Sequence, residues 1–138
     1  MLAYVDSSAL LRVIFGERDA LPQFRELTYG IASEILKVEC LRTIDRMRLS
    51  LPLPDEEISS RRALVFQALR KMEVIPLGPA VLERAAQPFP TTLGTLDAIH
   101  LSSALLWQES EGRALALLTH DRELGLGAKA CGLSVHGC

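Results

Sequence analysis

The sequence has few cysteines and no long apolar run, and each shortage argues against a class of protein. Three cysteines in 138 residues are an odd number without zinc-type spacing, so we expect neither a disulfide framework nor a cysteine zinc centre. No apolar run reaches the roughly 18 residues of a membrane-spanning helix. No basic segment precedes an apolar stretch, as it would in a secretory signal. We therefore expect a soluble, cytoplasmic protein with no membrane partner.

The remaining composition predicts one folded domain over residues 1–138. Apolar residues make up 49% of the chain, which is too many for a disordered protein and enough for one core. The net charge of −2 does not favour a molecule that binds nucleic acid over its whole surface. Twelve of the 15 positive residues are arginine, which suits phosphate contacts, although a solvated helix face is the more common explanation of such clusters.

Short apolar runs alternate with helical patterns along the chain. Strands are predicted near residues 2–5, 30–33, 73–77, 115–118 and 133–136, and helices near 8–15, 20–29, 34–49, 55–71, 79 onward, 96–109 and 121–130. Ser7 and Thr95 are the expected N-caps of the first helix and of the helix over 96–109. The alternation indicates an α/β fold with a central, mostly parallel sheet of about four to five short strands, covered by helices on both faces.

Four carboxylates stand beside apolar segments, where acidic residues are uncommon: Asp6, Glu39, Asp97 and Asp121. Burying an unpaired carboxylate costs several kcal/mol, so a fold that gathers these four needs compensation. Asp6 and Asp121 each follow a predicted strand, and parallel strands end at the edge of the sheet where sites form. A divalent metal ion is the natural compensation, which indicates a metal-dependent phosphodiester nuclease.

Each acid also has an ordinary structural explanation. Asp97 lies in the first turn of its helix, where the dipole stabilises negative charge. Asp121 could be an N-cap. Glu39 could pair with Arg42 along one helix face, and an aspartate after a strand, such as Asp6, occurs in α/β proteins of many functions.

The joint pattern is more specific than any single acid. The acids lie in LAYVDSSAL (2–10), ASEILKVECLR (32–42), TLDAIHLSSAL (95–105) and LLTHDREL (117–124). In this order and at these separations the segments resemble the motifs of PIN-domain ribonucleases, most closely the VapC-type toxins of toxin–antitoxin pairs. The resemblance covers essentially the whole chain. It implies a three-layer α/β/α PIN-like domain.

The resemblance also implies roles for individual residues. All four acids are expected to be catalytic, with Asp6, Asp97 and Asp121 as metal ligands and Glu39 binding through water or orienting the nucleophile. The expected residues around them, which would support the acids or orient the substrate, are Ser8, Arg42, His100 and Thr119. His100 has core or surface packing as its alternative explanation.

Oxygen ligands favour hard ions, so Mg²⁺ or Mn²⁺ is the expected cofactor, with one or two ions equally open. The family relationship implies hydrolysis of RNA to a 5′-phosphate and a 3′-hydroxyl, inhibition by a cognate antitoxin protein, and a homodimer. Exposed apolar positions in the helices over 20–29 and 34–49 would be the contact surfaces. Without metal, the clustered acids should have raised and coupled proton affinities.

Two other functions are compatible with the same motifs. One is a catalytically silent PIN-like module that binds RNA or a protein, although such a copy tends to lose at least one acid. The other is a housekeeping RNA-processing PIN nuclease. A serine hydrolase, a P-loop enzyme and a Rossmann enzyme are disfavoured, because the Gly-x-Ser-x-Gly elbow and both glycine fingerprints are absent.

Overall fold

A computed structural model describes residues 1–138 and contains one five-stranded sheet between two layers of helices. The strands are β1 (Leu2–Val5), β2 (Tyr29–Ser33), β3 (Met72–Ile75), β4 (Ala116–Leu118) and β5 (Ser134–His136). The helices are α1 (Ser7–Ile14), α2 (Ile35–Ser50), α3 (Asp55–Arg70), α4 (Pro79–Ala85), α5 (Thr95–Glu111) and α6 (Arg122–Ala130), with a 3₁₀ helix at Pro22–Glu26. The predicted α/β class and three-layer arrangement are confirmed.

The sheet is entirely parallel, with the order β3-β2-β1-β4-β5. The first strand of the chain is therefore the central one. Val5 aligns with Leu118 at the carboxyl ends of β1 and β4, and the Asp6 amide donates to the Leu118 carbonyl at 3.0 Å. This pairing places the segments that follow β1 and β4 side by side at one edge of the sheet.

Alternate residues of β1 belong to two separate cores. Ala3 and Val5 pack with the helices α1, α2 and α3, whereas Tyr4 packs with α5 and α6. Because both faces are covered, the strands read as continuous apolar runs rather than alternating ones. Each large aliphatic side chain that is fully buried here contributes about 1.5–3 kcal/mol.

The segment predicted as a helix over 20–29 is instead a short 3₁₀ helix followed by β2, so that prediction was wrong. Pro22 lies at the first helical position and has no amide hydrogen to donate. The amides of Thr28 and Tyr29 both donate to the Met1 carbonyl, at 2.9 and 3.3 Å. Pairing with the N-terminal strand therefore draws the end of this segment into the sheet.

The helix starts differ from prediction by one residue at two places. Asp6, not Ser7, is the N-cap of α1, and Gly94, not Thr95, is the N-cap of α5. In the first case the carboxylate accepts the Ser8 amide, which anchors the acid to the helix. The structure contains no helix long and apolar enough to cross a membrane.

Candidate active site

Asp6 is buried at the carboxyl end of β1 and is held through one of its oxygens. Its Oδ2 accepts hydrogen bonds from the Ser8 hydroxyl at 2.5 Å, the Ser8 amide at 3.3 Å and the Thr119 hydroxyl at 2.8 Å. Its Oδ1 lies 3.5 Å from His100 Nε2. Only 4% of the residue is exposed. The carboxylate is therefore fixed by Oδ2, and Oδ1 carries no comparably short hydrogen bond.

Two hydroxyl groups connect the ends of β1 and β4. Thr119 Oγ1 accepts the Asp121 amide at 3.0 Å, and Ser8 Oγ accepts the His120 amide at 2.9 Å. The two hydroxyl oxygens are 3.2 Å apart. Because each hydroxyl has one hydrogen and directs it to Asp6, both are oriented by that carboxylate. Ser8 and Thr119, singled out in the sequence, thus contact the first acid directly.

Asp121 is the N-cap of α6. Its Oδ1 accepts the amides of Glu123 and Leu124 at 2.9 and 3.1 Å, and its Oδ2 has no hydrogen bond. The capping explanation from the sequence is therefore confirmed. It does not exclude a role as ligand, because capping uses only one of the two oxygens.

Asp97 lies in the first turn of α5 and has no hydrogen-bond partner. Burial, and then the negative charges of Asp121 and Asp6, raise the pKa of Asp97 to about 6. The charge of His100 acts in the opposite direction and is outweighed. The expected rise in proton affinity is confirmed at this residue, which marks a place where negative charge accumulates.

Glu39 reaches the same region from α2 and is 18% exposed at its side chain. Its Oε1 is 2.5 Å from Nε2 of His100. Ligand atoms of Asp6, Glu39 and His100 lie within 4.8 Å of one another. Arg42 is not part of this cluster, because its guanidinium is 63% exposed and pairs with Asp45 at 3.1 Å. The intrahelical pair between Glu39 and Arg42 is not formed.

His100 is fully buried, so it combines the packing role and the supporting role considered in the sequence. Burial lowers the pKa of His100, but its hydrogen bond to Glu39 and the charges of Asp6 and Glu39 outweigh burial, so the pKa is raised. Its other nitrogen, Nδ1, is 2.8 Å from the Tyr4 hydroxyl. Tyr4 was missed in the sequence, although a tyrosine within an apolar central strand signals a buried hydroxyl that needs a partner.

The donor set fits a hard divalent cation. Asp6, Glu39, Asp97 and Asp121 supply only oxygen atoms, and none of them forms an ion pair with lysine or arginine. Asp6 and Asp121 each keep one oxygen outside their short hydrogen bonds, and Asp97 keeps both. Uncompensated negative charge and available oxygens are what Mg²⁺ and Mn²⁺ require.

The combination of an all-parallel sheet and acids at its carboxyl edge agrees with a comparison against protein families. Residues 3–128 match the model of the PIN domain. The chain belongs to the PIN-domain family. Within that family it is similar to the ribonuclease VapC46 of Mycobacterium tuberculosis, with 30% identity over 135 residues, 96% of this chain and 94% of the relative.

Solved structures show the same fold. A chain of a toxin–antitoxin complex from Klebsiella pneumoniae has a TM-score of 0.68 and 20% identity, covering 97% of this chain and 95% of that one. A chain of VapBC2 from Rickettsia felis, solved with a DNA fragment from its promoter, has a TM-score of 0.61 and 14% identity, covering 99% and 98%. At these sequence identities the similarity shows that this chain shares their fold.

Proposed function

We propose that this protein is a Mg²⁺- or Mn²⁺-dependent endoribonuclease and the toxin of a VapBC-type toxin–antitoxin pair. The observation that carries the proposal is the acidic site at the carboxyl edge of the sheet. Asp6 and Glu39 cluster there with His100, the charges of Asp121 and Asp6 act on Asp97, and none of the four acids is paired with lysine or arginine. The VapC46 relative is named a ribonuclease, and its similarity extends over nearly the whole of both chains. Together these support hydrolysis of RNA by a cytoplasmic enzyme.

The geometry suggests a division of roles among the acids. Asp6, Asp97 and Asp121 would hold the cation, since each has an oxygen free of short hydrogen bonds. Glu39, held by His100, would orient the attacking water. A divalent cation at this site would supply positive charge that offsets the charge of the phosphate and makes a nearby water a stronger nucleophile.

The silent binding module is the weaker alternative. A protein that only binds RNA has no need for four carboxylates, which repel the phosphate backbone. Burial and the negative charges of Asp121 and Asp6 raise the pKa of Asp97, so a further negative charge is unfavourable at this site. An arrangement that is electrostatically unfavourable without a cation is better explained by metal-dependent cleavage.

The proposed partners are an RNA substrate, a cognate antitoxin protein and a second copy of this chain. The antitoxin is supported by the VapC name of the relative and by the toxin–antitoxin titles of the two structural neighbours. Val38 and Leu49 of α2 are 57% and 71% exposed and are available for a protein contact.

RNA cleavage in the presence and absence of metal tests the enzymatic part of the proposal. The protein is incubated with total RNA in Mg²⁺, in Mn²⁺ and in EDTA, and the new 5′ ends are mapped. We expect defined cleavage sites with 5′-phosphates in either metal and none in EDTA. Equal cleavage in EDTA would overturn the metal mechanism, and intact RNA in all three conditions would favour the silent module.

Expression in bacteria separates a toxin from a housekeeping nuclease. A toxin arrests growth when it is expressed alone, and co-expression of the small reading frame beside its gene restores growth. A housekeeping nuclease would leave growth unaffected and would cut a defined precursor RNA. The same RNA mapping, performed on these cells, identifies which of the two outcomes holds.

A further inference from the structure

A chain of hydrogen bonds runs from β2 through β1 and α5 to the acidic site. The Ser33 amide donates to the Tyr4 hydroxyl at 3.2 Å, and this hydroxyl lies 2.8 Å from His100 Nδ1. On the far side of the imidazole, Nε2 lies 2.5 Å from Glu39 Oε1. Ser33, Tyr4 and His100 are all fully buried. Water therefore does not compete for these bonds.

The direction of the bond between Tyr4 and His100 follows from counting hydrogens. A backbone amide can only donate, so the Tyr4 oxygen accepts from Ser33 and still has one hydrogen of its own to place. The acceptor that lies within hydrogen-bond distance of this hydrogen is His100 Nδ1, at 2.8 Å. A phenol has a pKa near 10 and keeps its hydrogen at neutral pH.

The same bonds define the tautomer of the histidine. The Glu39 carboxylate can only accept, so the hydrogen between Nε2 and Oε1 belongs to Nε2. In the neutral ring Nδ1 then has no hydrogen and accepts from Tyr4. The Nε2 hydrogen is directed to Glu39 Oε1 at 2.5 Å, with Asp6 Oδ1 at 3.5 Å.

We propose that Tyr4 is a positioning residue whose hydroxyl occupies His100 Nδ1 and so holds the imidazole with Nε2 as a hydrogen-bond donor to Glu39 rather than a metal ligand. As a consequence, the side chains in the cluster of Asp6, Glu39 and His100 have different roles. The two carboxylates remain available for a cation or a water, and the imidazole holds them in place. The site is then an oxygen site, which favours hard ions over zinc.

The expected size of the effect comes from other metal sites. Removing a group that orients a metal-binding side chain lowers metal affinity or activity by about 10–100-fold. Tyr4→Phe removes only the hydroxyl and keeps the ring that packs against Leu101 and Leu117 in the core. Tyr29→Phe is the matched control, because it removes an exposed tyrosine hydroxyl that bonds to Glu73 at 2.8 Å, away from the acids.

Nitrogen NMR of His100 tests the tautomer without any assay of activity. At about pH 8 with Mg²⁺ present, the spectrum of the wild-type protein should show an unprotonated Nδ1 and a protonated Nε2. In Tyr4→Phe the signal of this single tautomer should be lost or shifted. A protonated Nδ1 in the wild type, or an unchanged spectrum in Tyr4→Phe, would overturn the inference and leave the proposed nuclease function intact.

Binding of Mn²⁺, measured by calorimetry, tests the consequence for the site. We expect the affinity to fall about tenfold in Tyr4→Phe and to stay at the wild-type value in Tyr29→Phe. Equal Mn²⁺ affinity in Tyr4→Phe and wild type would contradict the positioning role. Absence of Mn²⁺ binding to the wild type would instead contradict the proposed function, on which this binding measurement rests.

A double-mutant cycle tests whether Tyr4 acts through His100 or only supports the fold. His100→Gln keeps a side-chain N–H that can face Glu39 but removes the ring nitrogen that Tyr4 contacts. If Tyr4 acts through His100, then Tyr4→Phe lowers kcat about tenfold alone and has no further effect in the His100→Gln background. The same loss in both backgrounds would show that Tyr4 only supports the fold, and would overturn the inference.

Discussion

Asp6 and Asp97 face the same site but are held in opposite ways. Asp6 accepts three hydrogen bonds at the end of a central strand, and its carboxylate is satisfied by the fold. Asp97 has no hydrogen bond, and burial together with its acidic neighbours raises its pKa to about 6. The fold therefore fixes the carboxylate of Asp6 by hydrogen bonds and leaves the negative charge of Asp97 without a hydrogen-bond donor. A site that takes up a cation gains most from this second kind of residue.

The largest expected effect comes from neutralising the anchored acid. Asp6→Asn should lower RNA cleavage by more than the roughly 10–100-fold that loss of a supporting residue costs, because a ligand is lost. The amide oxygen can still accept from Ser8 and Thr119, so the circular dichroism spectrum should remain that of the wild type. Cleavage rates with a labelled RNA measure the effect, and Asp55→Asn on the exposed start of α3 is the control. Full activity in Asp6→Asn would show that cleavage does not need the Asp6 carboxylate, and the contrast between Asp6 and Asp97 would then have no functional meaning.

Metal binding should stabilise the protein by relieving the repulsion around Asp97. At a Mg²⁺ concentration of about one hundred times Kd, the free energy of unfolding should rise by about 2.7 kcal/mol. Urea denaturation with and without Mg²⁺ measures this increase. The increase should shrink in Asp97→Asn, which removes both a charge and a ligand. An identical increase in Asp97→Asn would show that Asp97 lies outside the metal site.

Removing the Thr119 hydroxyl should destabilise the fold by about 1–3 kcal/mol, because the buried Asp6 carboxylate loses one of its three donors and the Asp121 amide loses its acceptor. Thr119→Val is nearly isosteric and affects the bonds to Asp6 Oδ2 and the Asp121 amide. Urea denaturation measures the loss, with Thr92→Val at an exposed position as the control. If both variants are equally stable, the hydroxyl bond does not anchor Asp6.

The smallest expected effect is a gain in folding stability, whereas Thr119→Val is expected to lose stability. Asp97→Asn should stabilise the metal-free protein at neutral pH by about 1 kcal/mol, a value reduced by solvent screening at this half-buried site. The pKa of Asp97 rises from 3.8 to about 6 on folding, so its ionisation opposes folding. The gain should be absent below pH 3.8, grow between 3.8 and about 6, and be complete above that. Denaturation across this pH range in EDTA checks it, and a destabilised Asp97→Asn at pH 7 would contradict it.

The strand-end acids could be predicted from the sequence because they depend on local pattern and topology. Asp6 and Asp121 each follow a short apolar run, and parallel strands necessarily end on the same side of a sheet. The helical position of Glu39 was also predictable. These features require only the order of the elements and the period of their apolar residues.

The hydrogen-bond partners could not be predicted in the same way. The contact between Tyr4 and His100 joins residues 96 positions apart, and it depends on how α5 packs on the sheet. The pairing of Arg42 with Asp45 rather than Glu39 is a choice between two neighbours on one helix, with energies of a few tenths of a kcal/mol. The 3₁₀ helix at Pro22–Glu26 depends on pairing with Met1, which no local pattern encodes.

The order of the strands also determines when the site can exist during synthesis. β4 forms one side of the central strand, yet it comes from residues 116–118, far along the sequence from β1 at residues 2–5. Before these residues are made, β1 has one open edge and Asp121 is absent. A ribosome must therefore translate at least as far as Asp121 before the complete acid set can assemble.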